Sequence, residues 1–201
     1  MTRVVAVGES IAREALDDAV ATLKGGGLVA FPTESFYGLG VDALNAGAVA
    51  RVFDVKGRPE SKPLLVLVGS IAMAEEIVAA IPPGVRDLMR RHWPGPLTLV
   101  LAASGVVPHA LTAGTGTVGV RMPGHPIPLA LVRAAGVPVT APSANPSGQP
   151  AATTADAVRG YFGARVDLVL DGGATAGGAG STIADCTSWP PRVLRRGPVE
   201  V

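Results

Sequence analysis

The chain has 201 residues, 48% of them hydrophobic and 16% charged, and its 17 Lys and Arg against 16 Asp and Glu leave a formal net charge of +1. That balance excludes a surface built to coat a polyanion, so any contact with nucleic acid has to be local. A single cysteine, Cys186, excludes an intrachain disulfide framework, and no uncharged apolar run reaches the roughly 18 residues of a membrane span.

Glu9, Arg13, Glu14, Asp17 and Asp18 interrupt what would have to be the apolar core of a signal peptide. With no charged or Ser-rich linker, the expectation is a single soluble, cytoplasmic domain over residues 1–201, without membrane contact. In chain order, Ile11, Ala15, Leu16, Ala19, Val20 and Leu23 recur at helical spacing, with Ser10 placed to cap and Gly25 to Gly27 placed to stop the helix. "LVAF" at 28–31 reads as a strand. A helix from Asn45 turns Val49, Val52 and Phe53 inward, and "PLLVLV" at 63–68 reads as a buried strand. Helices follow over 70–81 and 82–93, strands over 97–103 and 117–122, a helix over 126–136 and a strand over 137–142. The chain closes with a helix over 153–163, a strand at 167–173 and short strands around "STIAD" and "RVLRRG". The fold class this predicts is α/β (α+β) on one substantial sheet, mixed because several connections are too short for a run of right-handed crossovers.

Gly (26) and Pro (18) are in excess and concentrate in loops bracketed by strands: "FPTESFYGLG", "KGRPESKP", "HWPGPLT", "RMPGHPIP", "APSANPSGQP" and "DGGATAGGAGST". Shaped loops on a rigid scaffold are where sites are built. The familiar nucleotide motifs are absent in context. "GTGTVG" at 114–119 spells G-x-G-x-x-G but runs into a strand-like stretch halted by proline, whereas a dinucleotide fingerprint opens a helix. "GST" at 180–182 lacks the lysine of a P-loop. His92, His109 and His125 are scattered, Cys186 has no cysteine partner, and no G-x-S-x-G elbow supports a Ser-His-Asp set.

What remains is hydroxyls and cations beside strand ends. Ser35, Thr117, Ser143 and Ser181 supply the first; Lys56, Arg58, Lys62, Arg121 and Arg195 supply the second. A triphosphate carries about four negative charges, and fixed cations with small hydroxyls suit it where no P-loop exists. Each cation alone also fits a solvated surface charge, and "SAN" at 143–145 also fits a simple Asx or Ser turn.

Seven motifs, "FPTESFYGLGVDA", "KGRPESKPLLVLV", "WPGPLTLVL", "VGVRMPGHP", "APSANPSG", "STIAD" and "VLRRG", stand in one order over nearly the whole chain. Together they closely resemble the YrdC/Sua5 family, whose members are threonylcarbamoyl-AMP synthases. The resemblance implies a twisted mixed sheet with flanking helices around a positively lined cavity. It implies a reaction in which L-threonine, bicarbonate or CO2, and ATP give threonylcarbamoyl-AMP and pyrophosphate, with magnesium accompanying ATP. The product would pass to a downstream threonylcarbamoyl-transferase complex that modifies a tRNA adenosine.

By the same resemblance Lys56 and Arg58 form the catalytic K-x-R motif. Arg58, Lys62, Thr117, Ser143, Asn145 and Arg195 contact ATP, while Ser35, Arg121 and Ser181 bind threonine, with the Ala141 main chain beside them. Leu67 stands where many members carry a histidine that touches threonine, and "PTES" replaces "PTET". Magnesium ligands are unknown; Asp171 and Asp185 are candidates that also read as turn residues. The chain ends soon after "VLRRG", as in single-domain members. Two rival readings are a non-catalytic module that cradles tRNA or double-stranded RNA, and a paralogue that uses another carbamoyl-type substrate. Aromatics at 4% leave few stacking platforms for the former, and Leu67 is the feature that keeps the latter open.

Overall fold

A computed structural model describes residues 2–59 and 62–201. The elements are β1 (Arg3–Ala6), α1 (Arg13–Lys24), β2 (Val29–Pro32), β3 (Tyr37–Gly40), α2 (Ala46–Lys56), β4 (Leu65–Leu67), α3 (Ile71–Ile77), α4 (Pro83–His92) and β5 (Leu97–Ala102). They continue with α5 (His109–Thr112), β6 (Thr117–Arg121), α6 (Pro126–Ala135), β7 (Val139–Thr140), α7 (Ala155–Phe162), β8 (Leu168–Asp171), β9 (Thr182–Asp185) and β10 (Arg192–Arg195).

The strands form two mixed sheets, ordered β1-β8-β2-β3 and β10-β9-β5-β6-β4-β7, which corrects the expectation of one. The break has a local cause. β7 is two residues long because Pro138 and Pro142 flank it, and neither can donate to a ladder. Their carbonyls still accept, from Ala43 N at 2.9 Å and Leu39 N at 2.9 Å. The buried Thr140 hydroxyl accepts from Val41 N at 3.1 Å and donates to Leu39 O at 3.0 Å. The β3–β7 seam is thus stitched by main-chain bonds and the isolated bridges Gly38↔Ser143 and Asp42↔Val139, without a continuous ladder.

Two cores follow from this division. Ala19 and Leu23 of α1 and Ile127, Leu131 and Val132 of α6 pack with Val29 and Phe31 of β2 and Leu168 and Leu170 of β8. The larger core joins Val49, Val52 and Phe53 of α2 and Val158 and Phe162 of α7 to Leu97, Leu99, Leu101, Val118 and Val120 of the six-stranded sheet. Burying a Val, Leu or Phe side chain contributes about 1.5–3 kcal/mol, so an aspartate at Val52 would cost α2 its seat. Asn45 caps α2 by accepting from Ala48 N at 3.1 Å, and Gly57 ends it in the left-handed region at φ 55°.

Several boundaries differ from the sequence reading. Ser10 does not cap α1: the first helical residue is Arg13 and the N-cap is Ala12, so Ser10 lies two positions too early for its oxygen to reach the first free amides. α3 stops at Ile77 because Val78 turns extended and bridges Ala103. β4 starts only at Leu65. β3 was hidden in "YGLG", since glycines argue against a strand. They are required because a Cβ on Gly40 would lie 2.5 Å from the Phe31 ring and 2.8 Å from Val139 Cγ1. The exposed edge strand β1 and the single turn α5 carry no periodicity long enough to read.

Candidate functional site

Period-two alternation divides the six-stranded sheet into a core face and a cavity face. Val66, Leu97, Leu99, Leu101, Val118, Val120 and Ala184 enter the core. Their neighbours Leu65 and Leu67 (β4), Thr98 and Val100 (β5), Thr117, Gly119 and Arg121 (β6) and Ile183 (β9) floor a cavity of about 470 Å³. Gly119 leaves the floor low. A Cβ there would sit at ordinary contact, 3.5 Å from Thr98 Cγ2, so the missing side chain is room for a ligand and no backbone conformation demands it. The turn 33–36, the start of β3, Arg58 with Pro63, and Pro142 with Ser143 form the walls.

Arg121 is 5% exposed. Its Nε donates to Gly95 O at 2.9 Å, and its Nη2 lies 2.6 Å from Glu34 Oε1. The Nη2 hydrogens are poorly aligned on that oxygen, which makes this an ion pair by proximity; Glu34 Oε2 is buried without a donor. Glu34 Oε1 also accepts from Gly124 N at 2.7 Å. Burial works against ionisation of Glu34, but the Arg121 charge and the hydrogen bonds outweigh it and hold its carboxyl below the usual range.

Arg195, on β10, donates to Ser181 O from Nε at 3.0 Å and from Nη2 at 2.7 Å, and Nη2 reaches Ser181 Oγ at 3.2 Å. Ser181 Oγ in turn lies 2.7 Å from Thr98 Oγ1. Burial and then the like charge of Arg121 both lower the pKa of Arg195, the condition of a cation pair that an anion would relieve. On the opposite wall Arg58 is tied to its own loop, Nε to Lys62 O at 3.1 Å and Nη2 to Pro63 O at 2.9 Å.

Of the eleven residues assigned to catalysis, ATP or threonine in the sequence, Ser35, Arg58, Thr117, Arg121, Ala141, Ser143, Ser181 and Arg195 line this cavity; Lys56, Lys62 and Asn145 do not. Lys56 is 3% exposed, and its ammonium donates to the main-chain oxygens of Ser143 and Asn145. Burial, then the Arg58 charge, brings its pKa down to about 8. Asn145 spends its amide on the carbonyls of Pro146 (3.0 Å) and Gln149 (2.7 Å) and accepts the Ser143 hydroxyl at 2.6 Å. Lys56 and Asn145 therefore build the Ser143 loop instead of facing the space beside it. Lys62 is exposed at the end of the same loop as Arg58. Glu60 and Ser61, part of the quoted "KGRPESKP" motif, lie outside the described residues.

Asp171 and Asp185 serve turns. Asp171 accepts from Gly173 N at 3.0 Å, and Asp185 from Thr187 N at 3.0 Å and Thr187 Oγ1 at 2.6 Å; neither lines the cavity. Among the described residues no group of three His, Cys, Asp or Glu could hold a metal ion, and no helix is long and apolar enough to cross a membrane. The sequence reading missed Thr33, Glu34, Thr98 and Gly119 as cavity residues. The one available signal was Thr98, a lone hydroxyl within "LTLVLA".

A floor with the buried guanidinium of Arg121, the more exposed Arg195 at its edge, hydroxyls around them and a loop arginine on the wall defines an α/β protein with a cation-lined cavity. Residues 21–197 match the Sua5_yciO_yrdC family model, described as telomere recombination. A threonylcarbamoyl-AMP synthase of Pyrococcus abyssi is 45% identical over 98% of this chain and 58% of its own length. One of Bacillus subtilis is 44% identical over 89% of this chain and 52% of its own. The crystal structure of P. abyssi Sua5 complexed with L-threonine superposes with a TM-score of 0.93 at 45% identity, covering 96% of this chain and 57% of that one. The chain belongs to the Sua5/YciO/YrdC family, and it spans a little over half the length of these relatives.

Proposed function

We propose that the protein is a nucleotidyltransferase of the cytoplasm that makes threonylcarbamoyl-AMP and pyrophosphate from L-threonine, bicarbonate or CO2, and ATP. The observation that supports this best is the pairing of Arg121 with Arg195 above a hydroxyl-lined floor, across the cavity from Arg58. One end suits a small carboxylate and the other a phosphate chain. The P. abyssi Sua5 complexed with L-threonine shares this fold.

In the proposed reaction the neutral amine of threonine adds to CO2 and loses a proton, forming a carbamate. A carbamate oxygen then attacks the α-phosphorus of ATP, the bond to the β-phosphate oxygen breaks, and pyrophosphate leaves. Negative charge shifts onto the leaving phosphates, so the work of the chain is positioning and electrostatic stabilisation. Arg121, Ser181 and the Ser35 turn hold threonine. Arg58 faces the phosphates with Lys62 at the end of its loop, and Thr117, Ser143 and the free Nη1 of Arg195 face the nucleotide. Lys56 and Asn145 act at one remove by fixing the Ser143 loop. Glu34 is committed to Arg121 and Gly124, so among the described residues the cavity offers magnesium no carboxylate pair. The product would then go to a separate threonylcarbamoyl transferase acting on tRNA.

Pyrophosphate release from ATP, with L-threonine and bicarbonate each omitted in turn and the nucleotide product weighed by mass spectrometry, tests the reading. Release that needs both, with threonylcarbamoyl-AMP as product, is expected. Release indifferent to threonine would overturn it in favour of another carbamoyl-type substrate.

A further inference from the structure

Thr98 lies within the motif "WPGPLTLVL" but is given no role by the resemblance, and it is the one polar side chain of β5 that faces the cavity. It is 2% exposed and Ser181 is 3% exposed. Among the described residues Thr98 Oγ1 has a single hydrogen-bond partner, Ser181 Oγ at 2.7 Å, and Ser181 Oγ has one more, Arg195 Nη2 at 3.2 Å. A hydroxyl carries one proton and two acceptor positions, while a guanidinium only donates. The pair therefore owns two protons, and the bond between the two oxygens consumes one. The contact with Arg195 fills an acceptor position and takes no proton. The second proton has no acceptor among the described residues, and both Thr98 and Ser181 line the cavity.

A buried donor without an acceptor is costly, so the group that meets it is an acceptor brought in from outside. Among the described residues Arg121 and Arg195 are opposed around this point by the single carboxylate of Glu34, which leaves positive charge unmatched. The complement is an anionic acceptor small enough to reach the sheet itself. On the synthase reading, that is the carboxylate of the amino-acid substrate.

We infer that Thr98 and Ser181 act as one proton-donating pair, polarised by Arg195, that binds the substrate carboxylate beside Arg121, and that Thr98 is thereby a determinant of amino-acid affinity. This rests on the function proposed above. Arg195 sets the direction: by donating to Ser181 Oγ it makes that oxygen a better proton donor to a ligand, as in any chain of polarised hydrogen bonds.

The test compares wild type with Thr98→Val, which keeps the shape and removes the hydroxyl, and Thr98→Ser, which restores it. L-Threonine is titrated into each by calorimetry, a non-hydrolysable ATP analogue is titrated separately, and the steady-state constants of threonine-dependent pyrophosphate release are measured. Expected is a rise of about tenfold in Kd and KM for threonine in Thr98→Val, the scale of one lost hydrogen bond to a charged group. Affinity for the ATP analogue and kcat at saturating threonine stay unchanged, and Thr98→Ser returns to within about threefold of wild type. Wild-type threonine affinity in Thr98→Val overturns the inference. Parallel loss of ATP affinity, or no recovery in Thr98→Ser, also overturns it, since either would mark Thr98 as a packing residue. A wild type that binds no threonine and releases no pyrophosphate sinks the proposed function and this inference with it, a result distinct from a variant that merely matches wild type.

Discussion

The floor and the Arg58 wall of the cavity both present arginine, but they hold it differently. Arg121 and Arg195 stand on strands; Arg121 is buried, and both are fixed by main-chain oxygens and by Glu34 or Ser181. Arg58 follows the C-terminus of α2 in a proline-bounded loop, and its guanidinium bonds to the carbonyls of that same loop. The buried charge of Arg121 is pre-organised and suits a small ligand that must sit in one place, while Arg195 joins that end to the nucleotide. On the function proposed above, Arg58 in its loop is the charge left for the longer, more highly charged nucleotide.

If the two regions divide the work in this way, variants should separate them. Arg121→Ala has the largest expected effect: kcat/KM for threonine falls by about 10²–10³, and unfolding free energy drops by about 2 kcal/mol, because a half-buried Glu34 loses its counter-charge. Steady-state kinetics with thermal denaturation checks both. Arg58→Ala is expected to abolish pyrophosphate release almost as completely, by about 10² or more, while stability moves by no more than about 0.5 kcal/mol, as for a residue bonded only within its own loop. An active Arg58→Ala enzyme would remove this residue from the chemistry.

Gly119→Val is expected to raise KM for threonine about tenfold by raising the floor, the cost of roughly 1–3 kcal/mol for overfilling a packed space, with little change in ATP affinity. The smallest effect is on pH dependence. The Lys56 pKa is depressed from 10.5 to about 8, so between those values the unfolded chain binds more protons than the folded one and stability rises with pH. The contribution of the neutral amine is complete above 10.5 and is lost as pH falls through about 8. Melting curves from pH 8 to about 9.5 should show wild type gaining on the order of 1 kcal/mol over Lys56→Met, discounted for the two carbonyls that favour the cation.

The sequence carried much of this arrangement, and its omissions have physical causes. Helices with a full apolar stripe, such as α2 with Val49, Val52 and Phe53, were legible because burial and helical period agree. β3 was not, since Gly38 and Gly40 answer to the Phe31 ring and not to strand propensity. Cations in motifs could be named but not aimed: Lys56 and Arg58 are two residues apart, yet the last turn of α2 buries one under the Ser143 loop and Gly57 releases the other toward the cavity. Glu34 and Thr98 stand inside quoted motifs, but a motif does not aim a side chain: the partner of Glu34, Arg121, is far along the chain, and Thr98 is one hydroxyl in an apolar strand.

The division of labour is most directly tested by titrating L-threonine and a non-hydrolysable ATP analogue separately into wild type, Arg121→Ala and Arg58→Ala. The account predicts that Arg121→Ala loses threonine and keeps the nucleotide, and that Arg58→Ala loses nucleotide affinity and keeps threonine. Loss of both ligands in both variants, or retention of threonine by Arg121→Ala, would contradict it.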